Sequence, residues 1–344
     1  MTAPVNLADY ERLAHARMDP AAWDLYATGV GDEETLAENR AAFARLRLRP
    51  RVLVDVSALD LHTTVLGAPV SMPILVAPSA AHGFAHPEAE CATAQGTGAA
   101  GTLMVASTES TRSLEEIAAA ATGPLWFQLY VYRQRQIAES LVRRAEDAGY
   151  RAIVLTVDLP TWARQERAMR SSDQRHWPPQ GNLPGLVDGD PYNLTWRDLA
   201  WLRSLTALPI ALKGILTAED AALAVEHGVD AVIVSNHGGR SLDGAPATIE
   251  ALPEVVAAVA GTCNVYLDGG VRRGTDALKA LALGARAVLV GRPALWGLAV
   301  EGARGVQHVL ELLRAELALA MTLAGTPTLT HIQPALIQSK ETGP

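Results

Sequence analysis

The sequence is poor in cysteine, with two among 344 residues. Cys91 and Cys263 match neither the spacing of a zinc site nor that of a redox pair, so they read as core thiols in a reducing cytoplasm, and no metal is expected. Basic charge is not in excess either: the formal net charge is −8, which argues against a nucleic-acid partner. No apolar run reaches membrane-spanning length without proline, glycine or charge. The opening MTAPVNLADYERLAHARMD carries charges where an export signal needs an apolar centre, so neither a membrane nor an export route is expected. Solenoid repeats and low-complexity tracts are also missing.

Hydrophobic residues make up 49% of the chain, enough for a large core without staples. They recur as short runs bounded by turn residues: Ile74–Pro78, Thr102–Ser107, Leu125–Val131, Ala152–Asp158, Pro209–Gly214, Ala231–Asn236, Asn264–Gly270 and Ala287–Arg292. Between them lie segments of helical period that finish on glycine, such as SLVRRAEDAG, TAEDAALAVEHG and GTDALKALALGA. Eight continuous apolar strands alternating with helices predict a parallel sheet closed into a (β/α)₈ TIM barrel, with an open doubly wound sheet as the alternative. Residues 1–50 predict a helical cap, and the Pro-, Gly- and Asp-rich residues 171–195 a long loop after strand four, over the site. The whole chain is expected to be one domain.

In such barrels the chemistry gathers where the strands end. Strand six runs into SNHGGRSLDG, placing His237 and Arg240 on a glycine-rich turn; His237 reads as a general base or, blandly, as a loop histidine bonded to backbone. Asp158 ends strand four, where it either orients an imidazole or caps the following segment. Lys213 ends strand five and must snorkel outward or meet an anion. Asp268, Gly270 and Arg272 after strand seven, with Gly291 and Arg292 after strand eight, supply the backbone N–H groups and guanidinium forks that bind phosphate.

As a set, these residues resemble the FMN-dependent 2-hydroxy-acid oxidase and dehydrogenase family, which includes glycolate oxidase, lactate oxidase and mandelate dehydrogenase. SNHGGRSLDGAPAT carries the resemblance most specifically, and MPILVAPSA, FQLYVY, LTVD, LKGILTAEDA, LDGGVRRGTDALKALALGA and VGRP extend it from about Tyr10 to about Gly325. The resemblance implies that Ala77, Pro78, Ser79 and Ala80 line the flavin, that Ser107, Gln128 and Thr156 bond its ring, and that Lys213, with Ser235 beside it, meets the reduced N1–C2=O edge. It gives the ribityl chain and phosphate to Asp268, Gly270, Arg272, Gly291 and Arg292. For the chemistry, it makes His237 the base, Asp158 its orienting partner, Tyr130 a donor near the substrate oxygen and Arg240 the carboxylate ligand. A homotetramer and electron transfer to oxygen or a separate acceptor are implied with it.

Three positions depart from the glycolate oxidase pattern. Leu25 and Gln165 stand where a tyrosine and a second arginine would hold the carboxylate, with Arg164 one residue away from the second anchor. Glu109 replaces a bulky aromatic; it disfavours an anion and suits a cation or hydroxyl, unless it faces solvent or pairs with Arg164. The expectation is retained flavin chemistry on a modified 2-hydroxy acid, an alcohol or an amine. A flavin-dependent isomerase of the type 2 isopentenyl-diphosphate kind is the alternative, followed by a flavin-free lyase using Lys213 as a Schiff base.

Overall fold

The structure is a computed structural model that describes residues 3–171, 178–183 and 193–338. The chain starts with three helices, α1 (Leu7–Arg17), α2 (Pro20–Ala27) and α3 (Glu34–Arg45). Local chemistry starts the first two: Asn6 accepts from the Asp9 N–H, and Asp19 accepts from Ala21 and Ala22 ahead of Pro20 in the first turn. The predicted cap is therefore helical, and α2 is a helix the sequence pattern did not separate.

Eight parallel strands follow: β1 (Ile74–Val76), β2 (Met104–Ala106), β3 (Leu125–Leu129), β4 (Ile153–Thr156), β5 (Ile210–Ile215), β6 (Ala231–Val234), β7 (Asn264–Leu267) and β8 (Ala287–Val290). They form a closed barrel, sealed where Val288, Leu289 and Val290 of β8 pair with Ile74, Leu75 and Val76 of β1. Every predicted strand is present, and each ends short of or close to its polar terminus, because the residues beyond leave the ladder to build the loops above. The three quoted helical segments turn out through Gly149, Gly228 and Gly284, all at positive φ.

The two faces of the strands account for their unbroken apolar character. Leu75, Val105, Trp126, Val154, Ile233 and Tyr266 fill the barrel interior, where the Trp126 and Tyr266 rings meet edge-on at 5.5 Å. Their neighbours Ile74, Val76, Phe127, Leu155 and Val232 pack outward against the helices. A hairpin of residues Thr63–Val65 and Ala68–Val70 inserts Val65 and Val70 into the interior cluster from below. The opposite end, where the strands terminate, is left for the site.

Among the described residues no helix is long and apolar enough to cross a membrane. Of the expected loop 171–195, only residues 171, 178–183 and 193–195 are among those described. Within that piece Asn182 donates to the Ser107 and Thr108 carbonyls and accepts from the Leu114 N–H, pinning it to the end of β2.

Candidate active site

A cavity of about 580 Å³ opens above the strand ends. All the residues singled out from sequence line it except Asp158, Ser235 and Arg164. The first two stand directly behind the lining. Arg164 is exposed and outside it, so the proximity of an arginine in sequence does not supply a second anchor. Its neighbour Gln165 lines the cavity because it is the residue from which the short helix Glu166–Arg170 departs.

His237 is held by its own backbone. At φ 58° it occupies the left-handed region, where a side chain needs outside support. Support comes from Ser235 Oγ, which accepts from the His237 N–H at 3.1 Å, and from Asp158 Oδ1, 3.0 Å from Nδ1. That carboxylate fixes a proton on Nδ1 and leaves the Nε2 lone pair directed at Tyr130, whose hydroxyl lies 3.5 Å away. Burial and the nearby Lys213 ammonium lower the imidazole pKa and Asp158 only partly restores it, so the ring is kept neutral. Burial opposes ionisation of Asp158, but its interaction with His237, hydrogen bond included, and the Lys213 ammonium outweigh it and hold the carboxyl below its usual range. Burial and the Glu109 and Asp158 charges push the Tyr130 phenol well above its ordinary value, which keeps it a proton donor.

The floor and the far end of the cavity have a different chemistry. Ser107 donates to Gln128 Oε1 at 3.1 Å, and Gln128 Nε2 donates to Thr156 at 3.0 Å, linking the ends of β2, β3 and β4. Lys213 is 3% exposed, so it does not snorkel; it donates to Ser235 at 3.0 Å and faces Asp268 at 3.5 Å. Beyond it stand Arg272 and Arg292, with Arg240 near both Arg292 and His237, and all three have backbone carbonyls as acceptors. Arg292 donates to Tyr26, Gly238 and Thr28, and Arg240 to Leu25 and Thr28. Burial pushes the Arg272 guanidinium down to about 10, and burial plus the two neighbouring arginines depress Arg292 further. Arg272 Nε is buried with no hydrogen-bond partner.

That region fits an FMN phosphate. Mutually repelling guanidinium groups with an orphaned N–H call for an anion, and a Cβ on Gly291 would project into the cavity, 3.5 Å from Ser79 Oγ and 3.8 Å from Ala77 Cβ. Gly270 has a further role: a Cβ there would strike the Asn39 carbonyl at 1.9 Å, so glycine is required for packing against α3 as well as at the cavity wall.

Glu109 follows neither of its bland alternatives. It lines the cavity instead of facing bulk solvent, and Tyr132, not Arg164, donates to its Oε1 at 3.3 Å. Sequence reasoning missed the apolar lining residues Leu159, Trp162, Ala163 and Met169, and also Tyr26 and Tyr132. Tyr132 was open to detection, since it follows Tyr130 by two residues and so points to the same side of an extended chain. The residues after Asp158 carry no comparable pattern.

The FMN-dependent dehydrogenase family matches residues 14–339. The L-lactate oxidase of Nostoc is 49% identical over 362 aligned positions, covering 98% of this chain and 99% of the relative. Glycolate oxidase 3 of Arabidopsis thaliana is 49% identical, covering 95% and 94%. Among solved structures, mandelate oxidase with (S)-2-phenylpropionate superposes with a TM-score of 0.92 at 44% identity, covering 98% of this chain and 99% of that one.

Proposed function

This chain belongs to the FMN-dependent dehydrogenase family and oxidises a 2-hydroxy acid at its α-carbon; we propose that Arg240 holds the acid's carboxylate while His237 takes the proton. The observation that carries this assignment is His237, backed by Asp158 and faced by Tyr130, at the same cavity as Arg240. The Nδ1–H is committed to Asp158, so Nε2 is the nitrogen that receives the proton. Asp158, already anionic, then stabilises the imidazolium. Tyr130 donates to the substrate oxygen, and the guanidinium of Arg240 gives the carboxylate a charge-assisted contact.

The cofactor would be cradled by Ala77, Pro78, Ser79 and Ala80, with Ser107, Gln128 and Thr156 bonding its ring and Lys213 and Ser235 at its polar edge. Asp268, Gly270, Arg272, Gly291 and Arg292 would hold the ribityl chain and phosphate. When bound, FMN accepts the two electrons and delivers them to oxygen or to a separate acceptor. Oxidation, not the isomerisation weighed from sequence, is the reaction of the family. A flavin-free lyase does not suit Lys213 either, because the amine is committed to Ser235 and Asp268.

Leu25 and Gln165 leave Arg240 as the one guanidinium of the expected anchor set at the substrate, and Trp162, Leu159 and Met169 offer apolar surface in return. The substrate is accordingly a 2-hydroxy acid larger than glycolate or lactate. An anaerobic screen of hydroxy acids, alcohols and amines, read by bleaching of the flavin absorbance, tests the reaction. His237→Ala is expected to purify yellow and to remain unbleached by the acids that bleach the parent; unchanged turnover in this variant overturns the assignment.

A further inference from the structure

Glu109 is the one carboxyl side chain facing the substrate end of the cavity among the described lining residues, and it forms no ion pair with a described residue. Its Oε1 receives the Tyr132 hydroxyl, while the described residues provide Oε2 with no hydrogen-bond partner. The side chain is held in place by its loop. Glu109 N–H donates to Ser107 Oγ at 3.2 Å, its carbonyl accepts from Ala81 at 2.9 Å, and Ser110 Oγ donates back to the Ser107 carbonyl at 2.6 Å. Immediately after it, the buried carboxylate of Glu90 accepts from the N–H groups of Thr111 and Arg112, and also from His82 on the neighbouring loop. A carboxyl set this firmly at a cavity wall, with one oxygen unused, is arranged as a receptor.

Resting on the reading of the chain as a 2-hydroxy-acid oxidising enzyme, we propose that Glu109, steadied by Tyr132, selects substrates whose side chain carries a hydrogen-bond donor, a hydroxyl or an ammonium group. Arg240 takes the carboxylate, His237 and Tyr130 address the α-carbon, and Glu109 addresses the far substituent. Glu109, Tyr130, His237 and Arg240 all line the same cavity. An apolar side chain placed there meets a polar group that it cannot satisfy. The discrimination thus works by rejection of the apolar acid as much as by attraction of the polar one.

The test compares 2-hydroxypentanoate, 2,4-dihydroxybutyrate and 4-amino-2-hydroxybutyrate as reductants of the FMN-loaded enzyme under anaerobic conditions. The parent should favour at least one donor-bearing acid over the apolar one by about tenfold in kcat/KM, the worth of one hydrogen bond. Glu109→Leu should reverse that order while still being bleached by the apolar acid. Glu109→Gln, which keeps the shape, separates the donors: a hydroxyl preference survives it and an ammonium preference is lost. Equal rates for all three acids in the parent, or a preference untouched by Glu109→Leu and Glu109→Gln alike, overturns the proposal and leaves the reaction standing. Absence of bleaching by every acid in a yellow parent protein overturns the reaction and this selectivity together.

Discussion

The left-handed backbone at His237, three residues past the end of β6, lets the turn carry its imidazole back over the barrel mouth. Its environment then sets its protonation. Burial and Lys213 lower the pKa, while Asp158 raises it. The base works only when neutral, so kcat/KM should fall as the pH drops through that pKa. Asp158→Asn removes the raising influence, so the acid limb should move to lower pH. The plateau should drop as well, by about a hundredfold or more, because the ring is no longer held in the working tautomer. Stopped-flow flavin reduction across pH measures both effects; an acid limb moving upward would contradict the assigned pairing. Asp158 and Lys213 were legible because each stands at the polar end of an apolar strand, and His237 and Arg240 because they share the glycine-rich turn that strand six runs into. Trp162 and Met169 were not: side-chain direction in the irregular segment of Trp162 depends on what it packs against, and the helix Glu166–Arg170 that carries Met169 is too short for its periodicity to be read.

The elements matter through their joints. Asn39 of α3 and Asn236 after β6 exchange two hydrogen bonds of 2.8 Å across 197 residues of sequence. Asp243, six residues past His237, accepts from the Thr35 N–H at 2.9 Å, and Gly239 leaves no room for a Cβ beside Leu36. The loop that carries His237 and Arg240 is therefore seated on α3. Replacing Asn39 with Leu takes the buried acceptor from one amide N–H of Asn236, which keeps its bonds to Pro246 and Gly239, and from the Thr248 N–H, at a cost of about 1–3 kcal/mol. The melting temperature of Asn39→Leu should fall, and its FMN should wash out more easily during dialysis, which absorbance at the flavin band measures. All eight strands could be read in advance because both of their faces are apolar. These joints could not, since an asparagine in a helix and another in a loop are individually unremarkable until the fold brings them together.

At the scale of the whole molecule, the cavity draws on the ends of all eight strands and on the cap, so whatever fills it acts on every part of the barrel. FMN should raise the melting temperature of the apoprotein with the logarithm of its concentration, contributing about 2.7 kcal/mol when free FMN is about one hundred times Kd. Arg292→Met should displace that rise to higher FMN concentration in differential scanning fluorimetry; a curve that starts at the same concentration would remove Arg292 from the phosphate site. The acceptors of Arg292 and Arg240 are carbonyls of Leu25, Tyr26, Thr28 and Gly238, three of them from the segment at the end of α2. The leading helices thus lend electronegative backbone to an anion site whose charges come from the barrel. Exchanging this segment for a relative's would transplant part of the cofactor site unseen, so cap and barrel form a matched pair in any recombined enzyme.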